Sequence, residues 1–195
     1  MLDIKTIKQN VSTKPCFDGG ANFKTHYLAK TSRGYAFKAS IGAILFTLIF
    51  IIVGISLLVG GCYYLIINNE YFKYLMQILV GSVFSAAGFY FLFHFFKPRV
   101  FNKNTNRFYK GFGNKDNRHS KSNIPLNNII ALQIIGETIE DDDGHYKSFE
   151  INLVLNDASR INVVDHGNLD KIIDDAEILS EFLNIPIWHA KSNKT

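Results

Sequence analysis

The sequence predicts a membrane protein that joins an α-helical transmembrane hairpin to a cytoplasmic α+β domain. Two observations lead to this fold class. First, 47% of the 195 residues are hydrophobic and only 19% are charged, and most apolar residues lie in one block from Ile41 to Phe96. Charged residues make up about a quarter of an ordinary soluble domain. Second, the chain outside this block shows the patterns of short strands and one amphipathic helix.

Two uncharged segments predict the transmembrane helices. Residues 41–67 form a run of 27 without a charged side chain. At about 1.5 Å per residue, such a helix exceeds the roughly 30 Å hydrocarbon core. Residues 75–96 form a second run of 22, and residues 68–74 are predicted as the external turn between antiparallel helices. The alternative is a buried helical hairpin of a soluble protein, in which helices seldom stay uncharged for this length.

Small residues recur on both predicted helices. Gly81, Ser85 and Gly88 fall at i, i+4 and i+7 on the second helix, and Gly54 and Gly61 lie seven apart on the first. We predict that these positions pack the helices together, because small side chains let backbones approach closely in lipid. The alternative is that they reflect the general frequency of such residues in membrane helices.

The distribution of Lys and Arg predicts the orientation. Seven of these residues precede the first span and eight lie in residues 97–121, whereas the connecting turn contains Lys73 alone. By the positive-inside rule, both termini are predicted to be cytoplasmic. The first forty residues contain no apolar core of signal-peptide type, so the first span is expected to be an uncleaved anchor. Cys16 and Cys62 then lie far apart and are predicted to be plain thiols.

Outside the spans, the sequence divides into four predicted parts. They are an N-terminal cytoplasmic segment, a β-hairpin, a β-rich domain and a tail, over residues 1–22, 23–40, 97–188 and 189–195 respectively. Five strands are predicted in the β-rich domain, followed by a helix over residues 168–183 with Asn168 as its N-cap. An apolar stripe at helical spacing indicates this helix.

The predicted hairpin of residues 23–40 contributes two strands and the β-rich domain five. These seven strands and the final amphipathic helix resemble a pleckstrin-homology-like (PH-like) barrel, which the hairpin is predicted to join. Such a barrel is a seven-stranded bent sheet closed by a C-terminal helix, and the chain is similar to small bacterial two-span inner-membrane proteins that carry one. Its layout also resembles the photosystem I assembly factor of cyanobacteria and chloroplasts, whose acidic helix ends in a phrase like Glu181–Ile187. This similarity covers about Ile41 to Trp188, and the domain type implies binding.

Catalytic motifs are absent from the sequence. It contains no nucleophile elbow, P-loop, dinucleotide-binding glycine motif, C-x-x-C pair or zinc-protease motif. Its six histidines are scattered without ligand spacing. We therefore predict no catalytic residue, no cofactor and no metal.

Three local features each allow a functional and a structural interpretation. Asp141–His145 offers carboxylates to Ca²⁺ but lacks the ligand spacing of a calcium loop, so a solvated hairpin turn is favoured. Asp165–Gly167 lies between a strand and the helix, where a turn that uses the backbone freedom of glycine is favoured over a site. His94 is either an intramembrane proton relay or, since it lies three residues before Lys97, an interfacial side chain, which is favoured.

The net charge of +4 conceals two oppositely charged regions. Residues 97–121 carry a net charge of +7 and residues 122–195 a net charge of −8. The basic region is predicted to form a collar that binds anionic lipid headgroups, or alternatively only to set the topology. The collar residues are Lys97, Arg99, Lys103, Arg107 and Lys110. The acidic helix face disfavours nucleic acid as a partner.

The leading functional hypothesis is a non-enzymatic protein whose cytoplasmic domain binds a protein partner at the membrane surface, in a scaffold or assembly role. One alternative is an immunity protein that protects against a secreted, membrane-targeting antibacterial toxin. Others are an anionic-lipid sensor and a small oligomeric channel or transporter component, although two unbroken spans without an intramembrane acid offer a poor substrate path. A membrane enzyme would require Asp157, Asp165 and His166 to surround a deep pocket.

Overall fold

The computed structural model describes residues 4–16, 19–68, 70–112, 123–141 and 144–191. The chain forms two compact units, one of Met1–Lys38 with Pro98–Thr195 and the other of Ala39–Lys97. In chain order the elements are α1 (Ile4–Asn10), β1 (His26–Thr31), β2 (Gly34–Ala39), α2 (Ile41–Ile67), α3 (Tyr71–Phe96), β3 (Arg99–Asn102), β4 (Arg107–Lys110), β5 (Ile124–Pro125), a 3₁₀ turn (Leu126–Asn128), β6 (Ile129–Asp141), β7 (Gly144–Leu155), β8 (Arg160–His166), α4 (Leu169–Leu183) and β9 (Ile187–Lys191).

The helical unit consists of α2 and α3, both long and apolar enough to cross a membrane. In each helix only 17% of the most apolar 18-residue window is buried within the chain, unlike the core helix of a soluble protein. Ser40 is the N-cap of α2, where its side chain accepts a hydrogen bond from Ala43 N at 3.1 Å. The helical hairpin and the sheet-rich second unit agree with the predicted coarse fold class.

The connection between the two helices is shorter than the predicted turn of residues 68–74. Helix α3 begins at Tyr71, four residues before the predicted start at Leu75. The added turn contains no glycine or proline, and Lys73 forms an ion pair with Glu70 at 3.3 Å on its exposed surface. Lys73 therefore lies just before the apolar run of residues 75–96 but already inside helix α3.

Small residues line the contact between α2 and α3. A Cβ added to Gly54 would collide with the backbone of Ser85, and one added to Gly81 would lie 2.8 Å from Leu58 N. One added to Gly61 or Gly88 would lie 2.7 Å from an isoleucine Cγ1, that of Ile78 or Ile51. The two backbones thus approach too closely at these positions for a larger side chain.

The second unit contains two sheets. Strands β1-β2-β3-β4-β5 form one sheet in this order, and β8-β7-β6-β9 form the other, in which β9 runs parallel to β6. Strand β2 pairs with β3, with Tyr35 opposite Phe101, so segments on both sides of the helical hairpin share one sheet.

The described strands are arranged differently from the predicted seven-stranded barrel. They number nine, and no strand pairing within the described residues closes the two sheets into a barrel. The two additional strands are the two-residue β5 and the parallel strand β9, which follows α4 directly. Both strands are short, with two and five residues, so neither shows an extended alternating pattern in the sequence.

The hydrophobic core of this unit takes residues from both sheets and from α4. Phe37, Phe101 and Phe108 come from the first sheet, with the Phe101 and Phe108 ring centroids 4.8 Å apart. Alternate residues of β6 and β7 come from the second, and α4 contributes its apolar stripe. Asn168 is the N-cap of α4, where its side chain accepts from Lys171 N at 3.0 Å, as the sequence indicates.

Candidate functional site

A surface pocket of about 380 Å³ lies at the C-terminal end of α4. We call it the α4 pocket. It is bordered by the β3–β4 turn, the 3₁₀ turn and the residues that follow α4. Its lining residues are Lys103, Asn106, Leu126, Asn127, Ile129, Phe182, Leu183 and Ile185.

Local hydrogen bonds fix the two turns that border the α4 pocket. Asn106 has a left-handed φ of 52° and accepts at its carbonyl from Leu126 N at 2.9 Å, which joins the β3–β4 turn to the 3₁₀ turn. On the other side, Asn184 ends α4 in a left-handed conformation, and Ser180 Oγ donates to Ile185 O at 2.5 Å. The chain reversal places Leu183 and Ile185 together on the pocket wall.

The α4 pocket has an apolar floor and a polar rim. Leu126 and Ile129 are buried on the floor, whereas Lys103, Asn106 and Asn127 are exposed on the rim. The Lys103 Nζ lies 5.0 Å from the centroid of the Phe182 ring. A cation over an aromatic face is held electrostatically while staying open to an anion from solvent.

A second constellation lies on the outer face of the β8-β7-β6-β9 sheet, beneath residues 4–16 and 19–25, here called the N-terminal arm. Sheet side chains bond to the backbone of the arm at 2.8 to 3.2 Å. The backbone N–H and C=O groups of the arm that form these bonds have their hydrogen-bond partners on the sheet. The sheet residues that make these bonds are Gln133, Tyr146, Ser148, Glu150 and Arg160.

Two carboxylates share one amide under the arm. Asn162 Nδ2 donates to Glu150 Oε2 at 3.2 Å and to Asp165 Oδ1 at 2.6 Å, while Asn152 Nδ2 donates to Glu150 Oε1 at 2.6 Å. Burial raises the pKa of both carboxyl groups, against the lowering effect of these hydrogen bonds. Arg99 provides a nearby positive charge that favours the ionised form of Asp165.

The same environment suppresses the reactivity of Cys16. Burial, reinforced by the negative charge of Glu150, raises the pKa of the Cys16 thiol to about 11. The thiolate is the nucleophile and metal ligand of cysteine, so Cys16 is protonated and unreactive near neutral pH. Cys62 is also a free thiol, as predicted for both cysteines.

The predicted collar residues occupy unlike environments. Arg99 is partly buried, where its Nη1 contacts His26 Nε2, and burial lowers its pKa to about 10. Arg107 donates through Nε to Asn123 Oδ1 at 2.5 Å. Lys103 is exposed on the α4 pocket rim, Lys97 Nζ lies 5.9 Å from the Phe93 ring, and Lys110 is partly buried. Arg99 and Arg107 are therefore engaged with the protein itself.

Of the three local features of the sequence, the acidic run and His94 lie in the following surroundings. Strands β6 and β7 pair up to Asp141 and Gly144, and residues 142 and 143 of the acidic run lie outside the described part. Among the described residues, no group of acidic, His or Cys side chains is suited to a metal. His94 stacks on Tyr90 with ring centroids 6.2 Å apart.

The glycine before α4 has a different role from the predicted one. Gly167 is not among the glycines with positive φ in the described chain, so backbone freedom does not explain it. Instead, a Cβ at this position would lie 2.7 Å from the carbonyl carbon of Asn22. The residue is required because the N-terminal arm passes directly against it.

The three residues named for a membrane enzyme do not share a pocket. Asp157 is exposed in the β7–β8 turn, where it accepts from Ser159 Oγ at 2.5 Å. Asp165 lies under the arm, and His166 is buried with Nδ1 accepting from Asn168 N at 3.2 Å. None of them lines the α4 pocket.

Asp175 on α4 provides a pH-dependent contribution to stability. It is 7% exposed, and burial raises its pKa from 3.8 to about 6, with further repulsion from Asp174. Because the folded protein binds this proton more tightly, the contribution is fully present below pH 4 and is lost as the pH rises through 6.

Replacing Asp175 by asparagine should therefore increase the free energy of unfolding by about 1–2 kcal/mol at pH 7.5 and leave it unchanged near pH 4. The asparagine keeps an acceptor oxygen for the N–H of Leu28. Urea unfolding of the full chain in neutral detergent, followed by fluorescence of the single tryptophan, Trp188, measures this difference. Glu177→Gln, on the exposed face of α4, is the control; a gain in Asp175→Asn that is equal at both pH values would contradict the prediction.

Comparison with known proteins adds no assignment. No family model, no curated protein and no solved structure matches this chain. What the fold defines is a chain with two helices able to span a membrane and an α+β unit that carries a pocket and a covered sheet face.

Proposed function

We propose that the protein is a membrane-anchored, non-enzymatic binding protein that docks a protein partner through the α4 pocket. The observation that carries this proposal is the pocket itself, in which buried apolar side chains are rimmed by a cation and two carboxamides. Binding sites typically combine an apolar lining with a few placed polar groups. A scaffold or assembly role follows from a binding unit anchored at a membrane.

The proposal places α2 and α3 across a bacterial inner membrane, with both termini and the α+β unit in the cytoplasm. The support is the concentration of Lys and Arg before α2 and after α3, against Lys73 alone in the segment between residues 68 and 74. The proposal also treats the α+β unit as a PH-like module, since both sheets and α4 contribute to one core.

A photo-crosslinking amino acid at Asn127 tests the proposal in cells. Asn127 lies on the pocket rim and is exposed, so the probe faces whatever occupies the pocket. We expect a crosslinked protein of defined mass, and we expect the additional change Lys103→Glu to reduce its yield about tenfold by charge reversal.

The same amino acid at Glu177, on the exposed face of α4 away from the pocket lining, is the matched control. Crosslinking from Glu177 with equal yield would show that the partner does not use the pocket. Crosslinking from Asn127 to lipid alone would replace protein binding by lipid sensing.

A further inference from the structure

We propose that the α4 pocket binds the carboxyl-terminal end of a partner chain whose last residue has a branched aliphatic side chain. This inference rests on the proposed function and specifies the partner. It assigns the terminal carboxylate to Lys103 and the aliphatic side chain to the floor formed by Leu126 and Ile129.

The charges around the pocket determine where an anion binds. Among the described residues that line the pocket, Lys103 is the only charged one, and its Nζ lies 5.0 Å from the centroid of the Phe182 ring. The exposed face of α4 carries four acidic side chains along its length, Asp170, Asp174, Glu177 and Glu181, of which Asp174 pairs with Lys171 and Glu181 directly precedes the lining residue Phe182. A carboxylate is repelled by that face and attracted by Lys103, so it has one favourable position on the rim.

The small size of the pocket favours a chain end over a longer segment. A volume of about 380 Å³ is near the lower limit of ligand pockets and accommodates roughly two or three residues. In a terminal residue the carboxylate and the side chain are attached to the same Cα. One residue can therefore reach both Lys103 and the apolar floor, whereas an internal acidic residue would need a second residue to fill the floor.

The two rim carboxamides suit the peptide group that precedes such a terminal residue. Asn106 and Asn127 are exposed on the rim, and a carboxamide both donates and accepts hydrogen bonds. A peptide N–H and C=O entering the pocket would otherwise lose their bonds to water without replacement. The rim thus provides partners for a main chain as well as for its terminal charge.

Peptide titration of the full chain in phosphatidylcholine nanodiscs tests this inference. The probes are acetyl-Gly-Ala-Leu with a free carboxylate and the same peptide with a C-terminal amide. The readout is the methyl NMR shifts of Leu183 and Ile185, which line the pocket. We expect saturable shifts with the free acid and about tenfold weaker binding of the amide.

The variant Lys103→Gln should weaken binding of the free acid about tenfold and leave binding of the amide unchanged. Lys30→Gln, which removes an exposed charge outside the pocket, should affect neither peptide. Equal binding of acid and amide, or no shift up to about 10 mM peptide, would overturn the inference.

The two proposals fail separately. A protein crosslink at Asn127 without peptide binding would refute the chain-end inference and leave partner docking intact. Peptide binding without a protein crosslink at Asn127 would refute partner docking in cells while the chemistry of the pocket stands.

Discussion

Replacing Gly34 by alanine is expected to lower the free energy of unfolding of the α+β unit by about 3 kcal/mol or more. Gly34 begins β2 with a φ of +140°, a conformation that L side chains rarely adopt. An alanine Cβ would also collide with the carbonyl oxygen of Phe101 and lie 2.9 Å from Phe182 Cζ. The first collision is with backbone of the paired strand, which cannot move aside cheaply.

Gly144→Ala is the matched control for this variant. Gly144 has nearly the same φ, +139°, but none of the described residues lies within 4 Å of an added Cβ. Gly144→Ala should therefore lower the free energy of unfolding only by the cost of backbone strain, about 1 kcal/mol. Urea unfolding of both variants, followed by Trp188 fluorescence, separates strain from collision, and equal losses would contradict the argument.

The Gly34 variant also bears on the α4 pocket. The Phe182 ring lies edge-on to the Tyr35 ring, with centroids 5.1 Å apart. The same ring also contacts Lys103, whose Nζ lies over it. Displacing this ring would remove one pocket wall and the face over which Lys103 is held. We therefore expect peptide binding to weaken together with stability, whereas Gly144→Ala should leave binding unchanged.

Helices α2, α3 and α4 are predictable from local patterns, whereas the seven-residue α1 is not among the predicted elements. The uncharged run of α2 and the apolar stripe of α4 each occupy consecutive residues, and Asn168 marks the start of α4 by its own side chain. Such signals depend only on residues that are close in sequence, so they can be recognised without the tertiary structure. The glycine and serine positions of α2 and α3 are visible for the same reason.

The α4 pocket and the covered sheet face are not marked by local patterns. The pocket combines a turn near Lys103, the 3₁₀ turn and the end of α4, segments far apart in the chain. In strand β7, polar Glu150 and Asn152 alternate with apolar residues, and Val154 stands where the next polar residue is expected. This apolar position is the sequence signal that the outer face of the sheet is covered by another segment. Arg99 looks like any other member of the basic run, although tertiary contacts bury it.

Replacing Ile7 by aspartate is expected to release the N-terminal arm and leave the sheets folded. Ile7 is 2% exposed and packs with Val11 of the arm against Ala131, Val154 and Trp188. This cluster is separate from the main core. A carboxylate buried there costs several kcal/mol, which exceeds the roughly 1.5–3 kcal/mol gained by burying one isoleucine.

The reactivity of Cys16 measures this release, in a Cys62→Ser background that leaves it as the only thiol. On the covered face, burial and Glu150 hold the Cys16 pKa near 11, against an ordinary value of 9.0. Release returns the pKa toward 9.0 and increases the thiolate fraction at pH 8 about 100-fold. Since a less basic thiolate is also a weaker nucleophile, maleimide labelling should accelerate about tenfold.

Ile4→Asp is the control, because Ile4 lies on the same helix but is 55% exposed. It adds the same charge to α1 without entering the apolar cluster, and labelling of Cys16 should keep the unmodified rate. Equal acceleration by both variants would mean that charge on α1, rather than burial of Ile7, governs the arm. Loss of cooperative urea unfolding in Ile7→Asp would mean that the arm is part of the core, since the sheets then do not stand without it.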